Sequence, residues 1–98
     1  MKFVQIIEYK TSRFDEVQQV LEDYRAATAG RRTVAHGTIC TDRDQPNTYV
    51  SIIEFPSYEE AMKNSEMPET SAMAEQMAKL CDGPATFRNL DVVREVND

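Results

Sequence analysis

The chain has 98 residues, a formal net charge of −6 and a pI near 4.7. One domain spanning residues 1–98 with a thin core is expected from that length, and the absence of any basic stripe argues against a nucleic-acid partner. No apolar run approaches the roughly 20 residues of a membrane span, and the start, MKFVQIIEYK, has too short an apolar stretch and no small-residue cleavage site for a signal peptide, so a cytoplasmic protein is expected.

Lys2–Tyr9 (KFVQIIEY) is β-branched and aromatic and predicts a first strand. In TSRFDEVQQVLEDYRAATAG, Phe14, Val17, Leu21, Tyr24 and Thr28 recur at helical spacing with Val20 beside them, predicting an amphipathic helix. Ser12 with Asp15 resembles a capping box. Gly30 is a natural stop, and Arg31 and Arg32 follow at the electronegative helix end. Thr33–Cys40 predicts a second strand and Thr48–Phe55 a third, joined by the polar turn TDRDQPN as an antiparallel hairpin. Pro56 and Ser57 open a second helix, with Glu59 four residues before Lys63. Its continuation carries an apolar stripe of Met73, Met77 and Leu80 and stops at CDGP. Ala85–Val96 predicts the last strand, leaving Asn97 and Asp98 as a tail.

The two cysteines, Cys40 and Cys81, form no C-x-x-C pair. With a single histidine they make no zinc site, and they read as reduced, small apolar residues.

The order β-α-β-β-α-β is ferredoxin-like and of the α+β class: a four-stranded antiparallel sheet with its helices on one face. The strands do not alternate as a one-faced sheet requires. Phe3, Ile7 and Tyr9 oppose Val4 and Ile6. Tyr49, Ile53 and Phe55 oppose Val50 and Ile52. Leu90, Val92 and Val96 oppose Phe87 and Val93. At about 25 cal/mol per Å² of apolar area, a wet second face forfeits several kcal/mol. A second copy of the chain, forming a homodimer through the sheet face, is the simplest cover.

This order, the length and the two-faced sheet resemble the dimeric α/β-barrel superfamily. Within it the chain is similar to the antibiotic-biosynthesis-monooxygenase-like (ABM-like) branch, through YVSIIEFPSYEEAMKNSEMPET and LCDGPATFRNLDV. The resemblance implies a small homodimer with a ligand cavity between helices and sheet and no cofactor. It implies cofactor-independent monooxygenation, isomerisation or cyclisation of a small aromatic or cyclic metabolite. The alternative is a non-catalytic small-molecule-binding or structural module of the same fold. Haem-degrading relatives use a Trp and a late His, whereas this chain has no Trp and its one His lies on the second strand, which disfavours that activity.

NSEMPET, Asn64–Thr70, interrupts the second helix. Pro68 lacks an N–H and disfavours a helical Met67, so the first piece should end near Ser65 or Glu66, with Pro68 opening the second. The elbow either leaves a cavity beneath it or only fits the helix to a twisted sheet, and Asn64 and Ser65 can equally be helix-end caps.

His36 is of the residue type whose charge changes near neutral pH. It is the candidate general base for a phenolic or enolic substrate, against a plain hydrogen-bonding role at the dimer interface or strand edge. Tyr24, Tyr49 and Asn64 are candidates for orienting that substrate, against core packing with satisfied hydroxyls for the two tyrosines. Arg88 either binds a carboxylate ligand or makes an intersubunit ion pair. Met62, Met67, Met73 and Met77 form either an adaptable ligand wall or ordinary core filler.

Overall fold

The structure, a computed structural model, describes residues 1–97; Asp98 of the expected tail lies outside the described residues. The elements run β1 (Phe3–Lys10), α1 (Phe14–Ala27), β2 (His36–Thr41), β3 (Thr48–Phe55), α2 (Tyr58–Ser65), α3 (Pro68–Leu80) and β4 (Thr86–Asp91). The sheet order is β2-β3-β1-β4, antiparallel throughout, so each helical crossover skips one strand. This is the expected ferredoxin-like fold.

β3 forms over the expected residues because Asn47, at φ 57, and the polar turn before it fix its start and Pro56 fixes its end. The expected capping box at Ser12 and Asp15 does not form. Arg13 is the N-cap and makes no side-chain cap bond. Thr11 takes over the corner: its Oγ1 accepts from the Arg13 N–H at 2.9 Å and donates to the Leu80 carbonyl at 2.7 Å. That fully buried hydroxyl ties the start of α1 to the end of α3.

β2 starts later than its composition predicts, because Thr33 and Val34 are drawn off the ladder. The Thr33 hydroxyl donates to the Glu60 carbonyl, and Val34 packs against the core of Phe3, Phe55 and Ala61. β4 is shorter than predicted. After the Val92 N–H meets the Lys2 carbonyl at 2.9 Å the chain leaves the sheet, and Lys2 pairs with Glu95 at 2.6 Å. Val93 and Val96 are left exposed.

On the helix-covered face, Phe3 packs against Phe55 and edge-on against Tyr58, with centroids 6.2 and 5.4 Å apart. Val17 of α1 is fully buried there. Phe14 stacks on Tyr49 at 4.1 Å and 4°, and Tyr49 stacks on Tyr9 at 5.9 Å, which pins the start of α1 to the sheet.

The Tyr9 hydroxyl is buried with no partner, since Ser51 lies near it but outside hydrogen-bonding geometry. Burial pushes this phenol's pKa up, against a smaller opposing effect of Ser51. The folded state therefore holds the Tyr9 proton more tightly than the unfolded chain does. Its contribution to stability is complete below the unfolded value of about 10 and is lost as pH rises beyond it. An ultraviolet-difference titration should show Tyr9 ionising only as the fold gives way, and early ionisation of all four tyrosines would contradict this.

The opposite face carries no helix. Its cross-strand rows are His36–Glu54–Val4–Leu90, Thr38–Ile52–Ile6–Arg88 and Cys40–Val50–Glu8–Thr86. Val4, Ile6, Val50, Ile52 and Leu90 are half-buried there, rimmed by exposed polar side chains. Both cysteines are free.

Candidate functional site

The site is built where α1 ends and the second helix breaks. Pro68 removes an N–H and sits at the first position of α3, while Glu66 caps α2 and Met67 is extended. Residues on both sides of that elbow hold Tyr24. The Asn64 Nδ2–H donates to the Tyr24 hydroxyl at 3.2 Å. The Thr70 hydroxyl donates to the Asn64 carbonyl at 2.7 Å, which leaves its oxygen to accept from the Tyr24 hydroxyl at 2.9 Å. Asn64 Oδ1 accepts from the Thr33 N–H at 3.4 Å. Asn64 is 8% exposed, so each of these bonds replaces one that water would otherwise supply. The interruption thus works as a clamp: one asparagine joins α1, α2 and the lead-in to β2.

In front of Tyr24 lies a cavity of about 500 Å³ between α1, Met73 of α3 and the helix-facing side of β2 and β3. Leu21, Val34, Ile39, Ile53 and Met73 supply its apolar wall. Glu22, Tyr24, Arg25, Arg32 and Ser51 supply polar atoms. Of the four methionines expected as a possible ligand wall, Met73 lines the cavity, whereas Met62 packs on the Phe3–Phe55 core.

Arg31 and Arg32 diverge. Both backbone N–H groups return to the Thr28 carbonyl, and Gly30 between them and the helix takes φ +79°. Arg31 behaves as a helix-end cation should, donating to the Ala27 carbonyl at 2.7 Å and pairing with Glu69. Hydrogen bonding to Arg31 holds the Glu69 carboxyl below its ordinary range. Arg32 turns the other way: it lines the cavity, and its Nε is buried without a partner. Gly30→Ala meets no atom within 4 Å, so its cost is backbone strain alone. A loss of about 1 kcal/mol is expected, read as a fall of several degrees in Tm. An unchanged Tm would show that the turn relaxes freely.

The five residues expected to act together are not in one place. Tyr24 and Asn64 are together, but Tyr24's hydroxyl is already satisfied and Asn64 stands behind it. His36 is an exposed residue at the cavity rim, and its register places its side chain on the open sheet face, beside Thr38. Arg88 shares that face on the far edge strand, three strand spacings or about 14 Å away. Tyr49 is sandwiched between Phe14 and Tyr9 at the other end of α1. Thr70, Ser51 and Arg32 were not among the expected site residues. The one sequence signal for Arg32 was a glycine before paired arginines, which reads equally as helix-end charge. Among the described residues no group of three or more His, Cys, Asp or Glu side chains could hold a metal ion, and no helix is long and apolar enough to cross a membrane.

No family model matches the chain, and no curated protein does. Solved structures do match it. SnoaB, a cofactor-independent oxygenase from Streptomyces nogalater, superposes with a TM-score of 0.82 at 14% identity, covering 99% of this chain and 98% of that one. A Caulobacter crescentus CB15 protein provisionally assigned as an antibiotic biosynthesis monooxygenase gives 0.82 at 14% identity, covering 95% and 91%. A conserved protein from Methanosarcina mazei Go1 gives 0.80 at 5% identity, covering 92% and 91%. At these identities the likeness is one of fold, and the fold is that of ABM-like domains.

Proposed function

We propose that the cavity beside Tyr24 takes a small aromatic or cyclic metabolite with an acidic hydroxyl or enol. In this reading the protein oxygenates that metabolite without a cofactor, as a homodimer joined through the open sheet face. The carrying observation is the cavity itself: about 500 Å³, with an aliphatic wall, two arginines and a buried N–H donor lacking a partner. Small-ligand sites have that size and combine an apolar wall with polar groups that orient the ligand. SnoaB, a cofactor-independent oxygenase of the same fold, supports the reaction class, although fold by itself does not carry activity.

The chemistry asks little of the protein. A deprotonated, electron-rich ring carbon adds dioxygen to give a hydroperoxide. Loss of water then leaves a carbonyl, so one dioxygen is consumed and one water released. Arginine charge near the developing oxyanion lowers the barrier. A base role for His36 requires the substrate to reach round the edge strand β2. Loss of turnover in His36→Ala with cavity binding intact would support that role, and unchanged turnover would remove it.

The test is dioxygen uptake with hydroxyanthrone-class substrates in chelator-treated buffer. Accelerated uptake at one dioxygen per substrate supports the proposal. Binding without acceleration across the series would favour a non-catalytic binding module, a reading that the internally satisfied Tyr24 hydroxyl also favours.

A further inference from the structure

We infer that Arg32, assisted by Arg25, makes this cavity selective for an anionic ligand, so that its occupant carries a carboxylate, sulfonate or ionised enol alongside its apolar rings. The inference names the ligand class of the cavity proposed above and rests on that reading.

Three observations carry it. First, Arg32 Nε is shielded from solvent and has no hydrogen-bond partner. A buried donor left unmade costs about 1–3 kcal/mol. An incoming anion can remove that cost, because the guanidinium presents Nε and one Nη as a fork matched to two oxygens. Second, neither Arg25 nor Arg32 forms an ion pair with a described carboxylate that would neutralise it at the cavity wall. Glu22 is the acidic residue of the wall, and against two arginines it leaves the lining net positive. Third, the turn at Gly30 directs Arg32 inward while Arg31 satisfies the helix end and Glu69, so Arg32 is not needed for either.

The chain as a whole carries −6. That field repels anions at long range, but the Debye length at physiological salt is about 8 Å. At the cavity wall the exposed Arg25 and the half-buried Arg32 outnumber Glu22. Selectivity for an anion is then a local property, and salt weakens the Arg32 contribution less than that of Arg25.

The test uses two fluorescent probes that differ only in one sulfonate: 1-anilinonaphthalene-8-sulfonate and neutral N-phenyl-1-naphthylamine. The intact protein is expected to bind the sulfonate about tenfold more tightly. Arg32→Gln is expected to remove that advantage while leaving the neutral probe's affinity unchanged, and Arg32→Lys to retain part of it. Met73→Trp narrows the cavity and should weaken both signals, which locates the binding there rather than on the open sheet. Equal affinity of the two probes, or an Arg32→Gln protein that still prefers the sulfonate, overturns the inference and leaves the cavity reading standing. Binding of neither probe overturns both. A melting transition in each variant shows that the fold is intact, and if Arg32→Gln does not fold, the ratio in Arg32→Lys decides alone.

Discussion

Ile52→Asp is expected to leave the protein monomeric at about 10 μM, a concentration at which the proposed homodimer of the unaltered chain is expected to persist. Ile52 lies in the middle row of the open face, between Thr38 and Ile6, on one of the two central strands. In a free chain a carboxylate there stays at a half-exposed surface and costs the fold little. In a symmetric sheet-on-sheet dimer the substitution occurs twice, and each carboxylate is buried without a partner. The intrachain cation of that row, Arg88, is two strands away, about 10 Å. An uncompensated buried charge costs several kcal/mol. At about 3 kcal/mol per copy the dissociation constant rises about 10⁴-fold, since each 1.4 kcal/mol is a factor of ten. Sedimentation velocity reads this directly. An Ile52→Asp dimer of unchanged affinity would move the interface elsewhere. A monomeric unaltered chain at that concentration would remove the proposed dimer.

The second large effect is Asn64→Ala. It strips the Tyr24 hydroxyl of its donor and leaves the Thr33 N–H facing an emptied space. Two bonds to buried groups are lost and at least one polar group is left unmade, which costs about 2–3 kcal/mol. For a domain of this size that is a fall in Tm of about 10 °C or more. The fall should appear in ligand-free protein, because the clamp holds three elements whether or not the cavity is filled. Tyr24→Phe should cost less, and the double variant should show a coupling of about 1 kcal/mol. An Asn64→Ala protein with unchanged Tm but lost turnover would make Asn64 a catalytic residue instead of a positioning one.

The fold was legible because its signals are repeated. β3 carries its limits on both flanks, and Pro68 can be accommodated in a helix of this shape only at a new start. The two-faced apolar pattern is a property of whole strands, so an error of one residue at an end does not disturb it. What failed were single-contact inferences. Ser12 had the right residue type for a cap, but Thr11 could reach Leu80, sixty-nine residues later, and no local pattern announces that. β2 lost Thr33 and Val34 to partners in α2 and the core for the same reason. At the site, residue type singled out His36 and Tyr49, and their placement, at the open face beside Thr38 and between Phe14 and Tyr9, follows from strand register and stacking that no local pattern announces. Arg32 was hidden because two adjacent arginines look alike until a left-handed glycine sends them to opposite sides.

The clamp has a consequence for which ligands fit. Tyr24 belongs to α1, and its partners stand on either side of the break between α2 and α3. The angle of the elbow and the width of the cavity are therefore one variable, held by a few bonds that break together. A ligand smaller than the resting cavity meets a rigid wall and gains contact with each added ring. A larger one that presses on Tyr24 has to disturb those bonds before it gains contact there. Affinity plotted against ligand size should then show a step instead of a gradual decline, with its position set by Tyr24, Asn64 and Thr70 instead of by the apolar wall the ligand touches.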